Sequence, residues 1–71
     1  MTNEVYKVGG LFKREDKEEI ETYLSQIDGV KKVEADLEDK TVAVSFDPSV
    51  VQSDWIRETL QSLGHDTYSI H

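Results

Sequence analysis

The order in which the hydrophobic spacing changes along this chain constrains its fold more than any other feature. Residues Glu4–Val8 alternate between two faces, as a strand does. Over Lys13–Ile27 the apolar residues, among them Ile20 and Leu24, recur at helical spacing, and Gly29 follows as a helix stop. The first part of the chain therefore predicts a strand followed by an amphipathic helix.

The second half of the chain predicts two further strands and a second helix. Apolar residues alternate approximately over Val30–Leu37 and more regularly over Thr41–Phe46, and the short polar loop between these segments predicts an antiparallel hairpin. Ser49 and Gln52 have the spacing of a capping box, which predicts that a second helix begins there. Gly64 is placed to end that helix. Its predicted inner stripe is Ile56, Leu60 and Leu63.

A last strand over His65–Ile70 completes the order β-α-β-β-α-β. Two right-handed crossover units of this kind interlock into the ferredoxin-like sandwich, in which both helices cover one face of a four-stranded antiparallel sheet. The predicted class is α+β. Because the chain has 71 residues, we expect one domain over residues 1–71.

Composition narrows the range of functions. The chain has no cysteine, which excludes disulfides, thiolate metal sites and thiol catalysis. Its net charge of −7 disfavours nucleic acid and anionic membrane as partners and favours a basic protein surface. No long apolar run or signal peptide is visible, which predicts a cytoplasmic protein without membrane insertion. Without a Ser-His-Asp spacing or an isolated carboxylate pair, we expect a non-enzyme.

Three segments resemble the heavy-metal-associated domain family. They are the run from Gly29 to Phe46 with the following Asp47-Pro48, the segment Leu63-Gly64-His65, and the segment Val8-Gly9-Gly10-Leu11. The resemblance covers nearly the whole chain and implies the ferredoxin-like fold. Members of this family serve as soluble copper chaperones or as N-terminal modules of metal-transporting ATPases, and their loop carries Gly-Met-x-Cys-x-x-Cys.

The metal loop of the family is altered here. Laid on its pattern, Gly10 keeps the glycine, Leu11 takes the place of methionine, and Lys13 and Asp16 take the places of the two cysteines. Copper(I) is a soft ion that selects thiolates and thioethers, whereas an ammonium is a cation and a carboxylate is a hard ligand. The resemblance therefore implies the scaffold but not thiolate copper binding.

One functional hypothesis is a protein that acts through a partner in metal handling. Glu15, Glu18 and Glu19 form an acidic segment that could dock on a basic surface, such as that of a metal transporter or sensor, and Trp55 could anchor the contact. The structural alternative is that the carboxylates interact with the helix dipole and Trp55 covers the edge of the core.

A second hypothesis is a site for a borderline metal ion. His65, with Asp16 and nearby carboxylates such as Glu15 or Asp66, could bind Zn, Ni or Cu(II) through nitrogen and oxygen. The alternative is that the His65 ring replaces an aromatic packing residue. A third hypothesis, a regulatory module of the same fold that binds a small molecule, requires an apolar cleft.

Overall fold

The elements follow the predicted order. The computed structural model describes residues 1–11, 13–64 and 67–70, the last four by their backbone. The elements are β1 Thr2–Val8, α1 Arg14–Ser25, β2 Val30–Asp36, β3 Thr41–Phe46, α2 Ser53–Ser62 and β4 Thr67–Ile70. The α+β class with two helices and an antiparallel sheet is confirmed.

The sheet has the strand order β2-β3-β1-β4, and all neighbours are antiparallel. Thr2 is paired with Phe46 at one end of β1, and Lys7 is paired with Thr41 near the other end. The loop after β1 therefore lies at the same end of the sheet as the β2–β3 hairpin. The end of α1 and the start of α2 lie at the opposite end.

A single core lies between the helices and one face of the sheet. Alternate residues of the central strands point into it, because successive side chains of a strand face opposite sides. The helices contribute residues three or four positions apart. The buried set is Tyr6, Val8, Leu11, Ile20, Leu24, Ala35, Val42, Val44, Phe46, Val51, Ile56 and Leu60.

Irregular spacing in β2 has a structural cause. Val30 and Val33 both pack against the core although they are three residues apart. The pairing of β2 with β3 shifts register between Val30 and Lys32, so one extra residue is inserted there. This β-bulge is the reason why the sequence alternates only approximately in this segment.

Two helix boundaries differ from the sequence prediction. α1 ends at Ser25, and Ile27 lies in the following turn, where it still packs against the core. The predicted capping box was wrong, because the Ser49 hydroxyl donates to the carboxylate of Asp47 at 2.6 Å and closes a turn. α2 begins only at Ser53.

A partly buried hydrogen-bond network joins β1 to the start of α2. Tyr6 is fully buried, and its hydroxyl lies 2.7 Å from the Ser53 hydroxyl and donates to the Glu4 carboxylate at 2.9 Å. Ser53 also donates to Glu4. Burial of the ring raises the pKa of Tyr6 to about 12.

Candidate functional site

The candidate site predicted from the sequence lies at one end of the sheet, which we call the loop end. The predicted residues Gly10, Leu11, Lys13 and Asp16 lie in residues 9–11 and 13–16, and the structure adds the hairpin residues 37–40 to this end. Strand pairing brings these segments together, because β1 runs into the loop and β3 runs away from the hairpin.

Leu11 and Lys40 join the loop to the hairpin. The Leu11 side chain, at the position that the family fills with methionine, is fully buried in the core. The Nζ of Lys40 donates to the Leu11 carbonyl at 2.7 Å, and the Val8 N–H donates to the Lys40 carbonyl at 2.8 Å. An ammonium from the hairpin therefore holds the backbone of the loop, an arrangement that the sequence did not indicate.

The two positions that would carry the cysteines lie at the start of α1. Lys13 is exposed and is the N-cap residue, and its backbone N–H donates to the carboxylate of Asp16 at 3.1 Å. The Asp16 carboxylate thus satisfies a backbone donor at the positive end of the helix dipole. A protonated ammonium and a hard carboxylate do not fit copper(I), so the residues at these positions do not form the thiolate site of the family.

The alternative metal site depends on a residue outside the described part of the chain. His65 and Asp66 are not among the described residues, so their approach to Asp16 stays a prediction. Within the described residues, no three histidine, aspartate or glutamate side chains converge to hold a metal ion.

Three acidic residues of α1 face solvent. Glu15, Glu18 and Glu19 are all exposed. The ion pairs that the structure gives are Lys32–Glu34 and Arg57–Asp54, so none of the three glutamates takes part in an ion pair within the described part of the chain. These carboxylates are therefore available to a positively charged partner.

Trp55 does not lie beside this acidic segment. It occupies the first turn of α2 and is 57% exposed. α2 begins near the end of β3, whose last residue Phe46 pairs with Thr2. The loop end follows Val8, so the length of β1, about 20 Å, separates the two regions along the sheet. The structure thus divides the predicted partner-binding residues between two ends.

The sequence analysis missed an apolar groove beside Trp55. The groove is lined by Gln26, Ile27, Asp28, Val50, Val51, Gln52 and Trp55. The Val-Val pair after the Asp47-Pro48-Ser49 turn was a signal for it, but the erroneous capping box placed these valines inside α2. As for membrane insertion, neither α1 nor α2, the helices of the described chain, is long and apolar enough to cross a bilayer.

Together, the fold and the loop end define a small α+β domain with two helices on one face of an antiparallel sheet. The family model for the heavy-metal-associated domain matches residues 14–66. Because this match covers more than half of the chain, the chain belongs to the heavy-metal-associated domain family. The resemblance found in the sequence is confirmed.

Known relatives include carriers and transporters. The chain is 32% identical to the copper chaperone CopZ of Staphylococcus aureus over 93% of its own length and 97% of the relative. It is 34% identical to copper-transporting ATPase 2 of Rattus norvegicus over 62 residues, but spans only 4% of that protein. Its fold matches a solved CopZ metallochaperone with a TM-score of 0.91 and 28% identity, covering 94% of this chain and 100% of the other.

A copper binding domain from a P-type ATPase has the same fold. The TM-score is 0.96 at 24% identity, with 100% of this chain and 96% of the other covered. At this identity the likeness bears on the fold alone.

Proposed function

We propose that this chain is a heavy-metal-associated domain that acts in metal handling by binding a protein partner and does not carry copper(I) on thiolates. The observation that supports this most directly is the presence of Lys13 and Asp16 at the ligand positions of a loop whose scaffold is otherwise retained. The loop is held by Leu11 in the core and by Lys40 on its backbone. We take the domain to span residues 1–71, to be cytoplasmic and to be non-enzymatic.

The proposed partner has a basic surface, as on a metal transporter or sensor. Glu15, Glu18 and Glu19 are exposed carboxylates beside the loop end, and opposite charges across an interface accelerate association. Relatives of this chain are a copper chaperone and a copper-transporting ATPase, which supports a partner in the same pathway. Salt should weaken the contact, since screening acts strongly on exposed charges.

A copper(I) competition titration tests the loss of the carrier function. The native chain should not compete with a chromophoric copper(I) chelator, because it has no thiolate. The double variant K13C/D16C restores the family's pair at these positions and should compete for copper(I). Strong competition by the native chain, or none by K13C/D16C that is still folded, would contradict the proposed reason for the loss.

A second titration, with divalent metal ions, tests the alternative metal site. Zn, Ni and Cu(II) are added to the native chain and to the variant H65A, and binding is followed by NMR signals of the His65 ring and Asp16. Binding at micromolar metal that H65A abolishes would favour the His65 and Asp16 site over a purely protein-binding role.

A docking titration tests the partner. The isotope-labelled chain is titrated with the N-terminal heavy-metal-associated module of a copper-transporting ATPase. We expect shifts at Glu15, Glu18 and Glu19 that disappear in E15Q/E18Q/E19Q. The control E34Q/D54N/E58Q removes the same charge away from the loop end and should still bind. Equal binding by both triple variants would refute docking through the acidic segment.

A further inference from the structure

The groove at the end opposite the metal loop is open and has an apolar floor. It lies between the end of α1 and the start of α2 and has a volume of about 680 Å³. Ile27 is partly buried against the core, and Val51 is 7% exposed. Val50, Trp55 and the polar residues Gln26, Asp28 and Gln52 complete the lining. We call this region the groove end.

Large apolar side chains are concentrated around this groove. Of the five large hydrophobic residues that are exposed in the described chain, Val50 and Trp55 line the groove. Tyr23, which is 50% exposed, lies in the last turn of α1, shortly before the lining residues Gln26 and Ile27. A clustered apolar patch on a small soluble domain marks an interaction site more often than scattered residues do.

One wall of the groove is held in place by close packing. Gly29 adopts φ +94, and a Cβ built on it would lie 2.9 Å from the Val50 Cβ and 3.0 Å from a Val51 methyl. The Asp47 N–H donates to the Gly29 carbonyl at 2.8 Å. The valines are thus packed directly on the Gly29 backbone. Because this wall of the groove is already ordered in the free protein, it loses little conformational entropy on binding.

The charge around the groove selects the partner. Among the lining residues, Asp28 is the charged one, and no lysine or arginine is present. Asp28 takes part in neither ion pair of the described chain, since these join Lys32 to Glu34 and Arg57 to Asp54. The net charge of the chain is −7. An apolar groove with an acidic and no basic lining residue is complementary to an apolar ridge flanked by basic side chains.

The secondary structure of the partner follows from hydrogen bonding. Of the lining residues, Trp55 lies in α2, and the others belong to the turn after α1 and to the segment before α2. None of them lies in a strand, so the groove has no strand edge to which an extended peptide could add. A helix satisfies its own backbone groups and presents a ridge of side chains.

We propose that the groove end binds a basic amphipathic helix of a protein partner, with a bulky apolar side chain seated between Ile27 and Trp55. This inference goes beyond the proposed function, because the groove is a second contact surface about 20 Å from the loop end.

The probe is a synthetic amphipathic helix with a leucine stripe flanked by lysine and arginine. Trp55 is the single tryptophan of the chain, so its emission reports directly on the groove. We expect saturable binding with a blue shift of that emission, weakened by salt, and no binding of a matched peptide in which glutamate replaces lysine and arginine.

Two lysine substitutions localise the contact. V50K places a cation in the groove and should weaken binding about tenfold. V5K adds the same charge to an exposed valine on the outer face of the sheet and should leave the affinity unchanged. W55A, followed by calorimetry, should weaken binding about thirtyfold, as expected for loss of an aromatic anchor. Circular dichroism confirms that each variant is folded.

Several results would overturn the proposal: equal binding of the acidic peptide, equal affinity of V50K and V5K, or absence of binding. Concentration-dependent Trp55 emission without peptide, together with a dimer in sedimentation, would assign the groove to a second copy of the chain instead. The two proposals fail separately. Peptide binding that V50K weakens, without docking of the ATPase module, would refute only the metal-pathway partner, whereas docking of the ATPase module without any peptide binding would refute only the groove.

Discussion

The two ends of this domain are stabilised in different ways. At the loop end, hydrogen bonds fasten the chain: Lys40 donates to the Leu11 carbonyl, and the Lys13 backbone N–H donates to Asp16. At the groove end, close packing dominates, because Val50 and Val51 lie against the bare backbone of Gly29. The loop end is charged, whereas the groove end exposes apolar side chains.

This difference explains how the ligand positions could change while the fold was retained. Lys13 is exposed and Asp16 is partly buried at the start of a helix, where a carboxylate interacts favourably with the helix dipole. The loop is held from beneath by the buried Leu11, which is independent of either side chain. Substitutions at the ligand positions should therefore cost little stability, whereas added atoms at the groove end should cost much.

The largest effect is expected from G29A. The added methyl would meet Val50 at 2.9 Å in a backbone conformation with φ +94, which L-residues rarely adopt. Strain and overpacking together should lower the free energy of unfolding by about 2–4 kcal/mol, measured by urea denaturation. G64A is the matched control, since Gly64 has φ +92 but no atom within 4 Å of an added Cβ, and it should cost only about 1 kcal/mol. Equal losses would show that close packing does not distinguish the groove end.

A smaller effect is expected on raising the pH. The pKa of Tyr6 is raised from 10.0 to about 12 in the folded chain, so the unfolded chain ionises first. The stability is complete below pH 10 and should fall by about 2 kcal/mol as the pH rises from 10 to 12.

The variant Y6F isolates this alkaline effect. It cannot ionise, so its unfolding free energy should change less over this range than that of the native chain. At neutral pH it should be about 1 kcal/mol less stable, because the hydroxyl bonds to Ser53 and Glu4 are lost. Parallel pH profiles of the two proteins would contradict the assignment to Tyr6.

At the loop end, K40M should lower the unfolding free energy by about 1 kcal/mol. The substitution removes the ammonium that donates to the Leu11 carbonyl in a partly buried setting. The control K7M removes a similar but exposed bond, from Lys7 to the Asp39 carbonyl, and should cost roughly half as much or less. If K40M were no more destabilising than K7M, the hairpin ammonium would not be what holds the loop.

The smallest effect is expected from D16N, which should cost about 0.5 kcal/mol through the helix dipole and the bond from the Lys13 N–H. The control is E15Q. Glu15 accepts no such bond from the backbone in the described structure, so E15Q should lower the thermal stability less than D16N does. If D16N lowered the unfolding free energy by more than G29A does, the ranking of the two ends would be reversed.

Element types and core faces were predictable where they depend on spacing within one segment. Val42, Val44 and Phe46 are buried because alternate positions of a strand share a face, and Ile20 and Leu24 are buried because they are four residues apart in a helix. The bulge in β2 was visible only as imperfect alternation. The start of α2 was placed too early, because Ser49 bonds to Asp47 instead of capping the helix.

The site was predictable to a smaller extent. Leu11, Lys13 and Asp16 could be assigned to loop positions because the flanking segments resemble the family. For Trp55 the sequence left open whether it covers the edge of the core or faces a partner, and the structure shows it 57% exposed. The separation of Trp55 from Glu15 and the contact of Lys40 with Leu11 could not be predicted, since each depends on how distant segments meet.

The sequence by itself determined the order of elements, the family scaffold and the absence of thiolates, because periodicity and ligand chemistry are properties of the residues themselves. The tertiary structure decided that the acidic segment and the tryptophan lie at opposite ends, and that two valines, an isoleucine and a tryptophan form one groove. The reason is that a surface is assembled from residues far apart in the chain, brought together by the antiparallel sheet and the packing of both helices on one of its faces.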